Sequence, residues 1–180
     1  MGAHCVAAQE CNSLQNATPI TLVAYLDGVL PKDGNAACIT VAIDSLTPLR
    51  FEPAIPGLVK LLDFRRSLNE KVPQRRQLTL EFMYPAAAAL EEIGKKALPA
   101  VLHAIKSSTS TKGRENAVAV WMEINKYDAP KGVALLRQEA VEAEDATTKA
   151  NLKWALSKAL DWCNPDDILR CSASAVMPKP

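Results

Sequence analysis

Aromatic side chains make up 5% of the 180 residues, and there are only seven glycines and two histidines. Strands favour aromatic and β-branched residues, and tight hairpins favour glycine, so the scarcity of both disfavours an all-β architecture. A nucleophile–base site of the Ser/His/Asp or Cys/His kind would have to use His4 or His103, and neither stands in a local signature of such a site. No P-loop, G-x-G-x-x-G, EF-hand or H-E-x-x-H spacing occurs, and His4, Cys5 and Cys11 match no zinc spacing. The expectation is a protein without cofactor, metal or catalytic residues.

Excess charge of one sign is also missing. The 21 basic and 20 acidic residues leave a formal net charge of +1, without the strong positive field that non-specific nucleic-acid binding uses. No apolar run approaches the ~20 residues that span a bilayer. Met1-Gly2-Ala3-His4 lacks the basic start and apolar stretch of a signal peptide. A soluble chain with no membrane partner is expected, cytoplasmic unless its terminal cysteines are disulfide-bonded.

The five cysteines avoid the middle of the chain: Cys5, Cys11 and Cys38 lie early, Cys163 and Cys171 late. Two readings are open. A disulfide between Cys163 and Cys171 would close a short loop and tie down a fraying end. Buried free thiols in a helical core would account for the same residues. Asn16-Ala17-Thr18 also fits a glycosylation sequon, a short pattern that arises by chance.

What is present is a helix former's composition, 48% hydrophobic and 23% charged, organised by a recurring phrase. It reads Ala54-Ile55-Pro56-Gly57-Leu58-Val59-Lys60-Leu61-Leu62, then Ala97-Leu98-Pro99-Ala100-Val101-Leu102-His103-Ala104-Ile105, then Asp128-Ala129-Pro130-Lys131-Gly132-Val133-Ala134-Leu135-Leu136. Thr18-Pro19-Ile20-Thr21-Leu22 is a fainter copy. Proline suits the first turn of a helix, where its missing N–H has no intrahelical partner, so each copy marks a helix start. Ile55, Leu58, Val59 and Leu62 then follow the i, i+3, i+4, i+7 rule, and Leu98, Val101, Leu102 and Ile105 repeat it.

An amphipathic helix precedes each phrase, carried by Ile39, Ala42, Ile43 and Leu46 in one case and by Ala86, Ala89, Leu90 and Ile93 in the next. The spacing predicts one all-α domain with hairpins over residues 5–30, 36–64, 78–107 and 114–143, a closing helix over 146–163 and an irregular tail over 164–180. No such hairpin buries both faces alone. Stacking neighbours complete the core, which is why about three or more repeats are needed.

Residues 85–105, PAAAALEEIGKKALPAVLHAI, and 54–63, AIPGLVKLLD, resemble HEAT repeats, especially the short subtype of phycobilin-lyase-like proteins. The resemblance covers roughly residues 36–160 and is loosest in the fourth repeat, where Asn125 to Asp128 replaces the Ile-Gly turn. It implies a right-handed α-solenoid of about four stacked antiparallel hairpins, usually a scaffold for binding proteins and sometimes for nucleic acid or a prosthetic group. Fold alone implies no reaction.

Aligned on their prolines, the second helices of the hairpins carry Lys60 and His103 four residues on, and Asp63, Lys106 and Arg137 seven residues on. These positions lie opposite or beside the apolar stripe. In a HEAT-like stack they would form a polar ladder on the concave side; otherwise they are an ordinary solvated face. Val23 and Leu26 hold the same offsets in the first repeat and are expected to be exposed unless something covers them.

Arg65, Arg66, Lys71, Arg75 and Arg76 form a basic cluster, read either as a solvated loop or as a contact for acidic groups and phosphates. Trp121, Trp154 and Trp162 invite comparison with HEAT-like DNA glycosylases, but core and cap packing explains them more simply. Glu91 with Glu92, and Glu142 with Glu144 and Asp145, read as solvated carboxylates. The expected function is a non-enzymatic protein–protein interaction scaffold, with a nucleic-acid-binding or DNA-repair module and a chromophore-lyase-type subunit as alternatives.

Overall fold

A computed structural model describes residues 11, 13–29, 35–67 and 79–163, and these are helical with no strand among them. Nine helices carry the description: α1 (Pro19–Gly28), α2 (Ala36–Leu46), α3 (Ile55–Lys60), α4 (Leu80–Met83), α5 (Pro85–Ile93), α6 (Leu98–Ser107), α7 (Thr111–Ile124), α8 (Ala129–Glu142) and α9 (Ala146–Leu160). The chain divides into two compact units, Met1–Ala97 and Leu98–Pro180.

Local chemistry sets the helix starts. Pro19, Pro56, Pro85 and Pro130 occupy the first or second position of α1, α3, α5 and α8, as the missing N–H allows. Capping side chains satisfy amides that have no intrahelical acceptor: Thr18 accepts from Thr21, Asn35 from Ala37, Ser110 from Gly113 and Asp145 from Thr148. The Ser110 cap starts α7 at Thr111, three residues before the expected boundary of 114. Gly94 ends α5 at φ 75° and ψ −141°, a conformation that only glycine adopts without strain.

In the first unit α1 packs on α2 and α3, and α5 packs on α2, α3 and α4. Its core holds Leu22, Leu26, Ile39, Ile43, Leu58 and Leu90. The expectation of exposed apolar residues on α1 is corrected here: Leu26 is 0% exposed and Val23 half-buried. The stripe of α1 runs through Leu22 and Leu26, out of register with the other proline-led helices. Gly57 makes this burial feasible, since a side chain there would begin 3.1 Å from the Leu26 Cβ. The α3 stripe is rotated likewise, toward Leu58, Leu61 and Leu62, leaving Ile55 and Val59 half-buried.

Cys11 and Cys38 form a disulfide that ties the residues before α1 to the start of α2. The sequence offers Cys163 and Cys171 as a further candidate pair. Cys163 is itself held in a disulfide, and Cys171 lies outside the described residues. The missed pair is 27 residues apart in sequence, and the α1–α2 hairpin brings its two ends together.

In the second unit α9 packs on α6, α7 and α8, α6 packs on α7, and α7 touches α8. Val101, Ile105, Val118, Val133, Leu136 and Leu152 are buried between them. Trp121 is buried as expected, whereas Trp162 is 46% exposed on the turn after α9 and adds little to the core.

Candidate binding surface

Lys60 ends α3 with an exposed side chain whose Nζ lies 3.9 Å from Asp27, and Asp63 is half-buried on the turn that follows. Both belong to the first unit. His103 is exposed on α6 in the second unit, where its backbone carbonyl accepts from the Ser107 hydroxyl at 2.8 Å. Lys106 on the same helix is ion-paired with Glu139 of α8, both side chains about one-third exposed.

The basic cluster separates into unlike members. The Arg66 guanidinium forks onto Asp44, with Nη1 and Nη2 at 2.8 and 2.6 Å from its two oxygens, and Nε donates to the Phe82 carbonyl at 3.1 Å. Its plane lies over the Phe82 ring, 4.9 Å from the centroid, and the side chain is 20% exposed. Bidentate geometry of this kind uses most of the fork's donors. Arg66 thus joins the segment after α3 to α2 and α4, rather than offering a free cation. Arg65 stays exposed, its Nη2 lying 3.8 Å from the Met83 sulfur. Lys71, Arg75 and Arg76 lie outside the described residues.

The Arg66–Asp44 pair edges an open groove of about 630 Å³ in the first unit, lined also by Thr47, Pro48, Phe82 and Glu92. That volume falls in the range of small-molecule sites. Its carboxylates are already engaged, Asp44 by Arg66 and Glu92 by Arg50 at 2.9 Å. Among the described residues no group of three or more His, Cys, Asp and Glu side chains could hold a metal ion.

A polar network in the second unit links all four helices. The Asn151 amide on α9 donates to the Lys106 carbonyl of α6 at 2.7 Å, and its oxygen meets Arg114 of α7. Arg114 stacks 5.4 Å from the centroid of the Trp154 ring, and Lys106 completes the link to Glu139 of α8. Arg114 and Asn151 did not emerge from the sequence reading. A signal existed, because Arg114 heads the buried stripe Ala117, Val118 and Trp121 at i, i+3, i+4 and i+7.

Arg137 differs from the other described candidates. Its Nε and Nη2 are shielded from water and meet no acceptor among the described residues. Burial also pushes its guanidinium below the ordinary arginine value, because removing water disfavours the charged form.

No family model matches the chain, and neither does any curated protein or solved structure.

Proposed function

We propose that the chain is a short right-handed α-solenoid of HEAT-like hairpins that acts as a non-enzymatic scaffold for another protein. One observation carries the reading: α3, α6 and α8 each have proline as their second residue and bury one face, and α3 and α6 carry the exposed Lys60 and His103 outside that face. Repetition of one helix type with a constant apolar side and a variable charged side is how repeat proteins combine a shared core with a specific surface.

The nucleic-acid alternative is weakened by Arg66, whose charge is committed to Asp44. Phosphate binding needs cations free to release counterions. The Cys11–Cys38 disulfide supports an oxidising compartment over the cytoplasm, since such bonds persist where thiols are not kept reduced.

Affinity capture followed by cross-linking mass spectrometry tests the scaffold reading. Cross-links from a captured protein to Lys60 and Lys106, lost when His103 and Arg137 are changed to Glu, support it. Salt-dependent binding to duplex DNA that disappears with Arg65→Ala, Arg75→Ala and Arg76→Ala would overturn it.

A further inference from the structure

We infer that the groove edged by Asp44 and Glu92 in the first unit takes a lysine side chain of a protein partner, its methylene stem on the apolar lining and its ammonium at Glu92. The inference rests on the scaffold reading and names the partner chemistry of one of its surfaces.

The first ground is the groove itself, which is open and holds about 630 Å³. Pro85, Ala88 and Glu92 line it from α5 at i, i+3 and i+7, so one side of that helix offers an apolar track ending in a carboxylate. Pro48 and Phe82 add to the apolar lining. Pro48 is exposed and Ala88 and Phe82 are half-buried, which leaves apolar surface for a stem to cover. Lysine buries its stem along such a surface while its charged head stays at the edge.

The second ground is the balance of donors and acceptors. All three guanidinium nitrogens of Arg66 already donate, Nε to the Phe82 carbonyl and the other two to Asp44. The Thr47 hydroxyl donates to the Ile43 carbonyl at 2.8 Å. The carboxylates keep capacity to spare. Arg50 brings both Nε and Nη2 to the same oxygen of Glu92, Oε2, at 3.2 and 2.9 Å. Oε1 meets no donor among the described residues, and the Glu92 side chain is 51% exposed. Asp44, half-exposed, receives one N–H on each oxygen, whereas a carboxylate accepts about four. A ligand that supplies N–H donors and positive charge complements this lining. A phosphate or carboxylate brings more acceptors against Asp44 and Glu92, so an anion is disfavoured. Arg50 is itself exposed, and an exposed pair of this kind holds Glu92 only weakly against an incoming cation.

The test uses the full chain and two blocked peptides, Ac-Ala-Lys-Ala-NH2 and the same peptide with norleucine in place of lysine, which keeps the stem and removes the charge. Both are titrated at fixed, low ionic strength and followed by the amide chemical shifts of α5. The lysine peptide should bind about fivefold more tightly, with the shifts centred on Ala88 and Glu92. Glu92→Gln should abolish that preference. Arg50→Asn removes the competing guanidinium and should widen the preference about twofold. Asparagine tolerates the left-handed backbone of residue 50, at φ 47°, so the turn is kept.

Equal binding of the two peptides, a preference that survives Glu92→Gln, or one that Arg50→Asn leaves unchanged or lowers would overturn the site. Any of these results alongside intact capture of a protein partner would remove the groove site and leave the scaffold standing.

Discussion

The indole Nε1 of Trp121 donates to the Gly132 carbonyl at 3.0 Å, joining α7 to α8 within the buried part of both helices. The contact needs the small residue. A side chain at Gly132 would begin 3.0 Å from the Asn125 Cβ and 3.6 Å from that same Nε1. Trp121→Phe keeps an aromatic ring but removes the donor and part of the buried volume. It should lower stability by about 1–3 kcal/mol, read from the denaturant midpoint.

Arg66 and Asp44 form a bidentate pair in which the Arg66 side chain is only 20% exposed, unlike the more exposed Arg50–Glu92 and Lys96–Glu52 pairs. A double-mutant cycle with Arg66→Ala and Asp44→Ala should give a coupling of about 1 kcal/mol, above what most surface pairs contribute. Arg65→Ala, next to it but exposed, should change stability by less than about 0.5 kcal/mol. Equal effects of the two arginine substitutions would contradict the division of the basic cluster.

The Cys11–Cys38 bond restrains the unfolded chain across a separation of 27 residues. Loop-closure entropy for that length corresponds to about 3.5 kcal/mol, so Cys38→Ala should lower stability by roughly this amount. Peptide mapping of the native, unreduced protein should recover residues 11 and 38 in one cross-linked fragment. Recovering both as free thiols would also remove the argument for an oxidising compartment.

Asp145 begins α9 with its carboxylate accepting from the Thr148 amide at 2.7 Å, and hydrogen bonding to Thr148 holds its pKa below the ordinary aspartate value. A group whose pKa is lowered in the folded state stabilises fully above its unfolded value, near 3.9, and loses that contribution as pH falls through the folded value. Asp145→Asn keeps an acceptor at the cap but does not titrate. Its melting midpoint relative to the native protein should therefore be lowest near neutral pH and should converge with it below about pH 4. A constant difference across pH would show that the charge on the cap contributes nothing.

Much of the fold was legible because its determinants are local. Proline at the first or second helical position, joined at α1 and α8 by a capping acceptor just before it, is a property of four or five adjacent residues, so the starts of α1, α3 and α8 could be read directly. The apolar period announced helices throughout, and the described residues contain no strand. The start of α7 was placed three residues late because the apolar pattern begins only after Arg114, whereas the Ser110 cap begins the helix earlier.

The candidate site was legible only as a set of positions. The proline alignment selected Lys60, Asp63, His103, Lys106 and Arg137 by helical offset, and offset tells which side of a helix a residue occupies but not which partner it meets. Lys106 meets Glu139 and Lys60 lies beside Asp27, while the Arg137 Nε and Nη2 meet no acceptor among the described residues. The two arginines at 65 and 66 are equivalent in sequence, and only one of them reaches Asp44.

The sequence by itself determined that the chain forms short amphipathic helices and where most of them begin; among the described residues no helix is long and apolar enough to cross a membrane. These depend on near neighbours and on a period of 3.6 residues. The tertiary structure decided the rest: the pairing of Cys11 with Cys38, the burial of Leu26 against Gly57, and which charges are satisfied. Each of these depends on two segments distant in sequence coming within a few ångströms, and an attraction or cost at that range follows from the partner that arrives there.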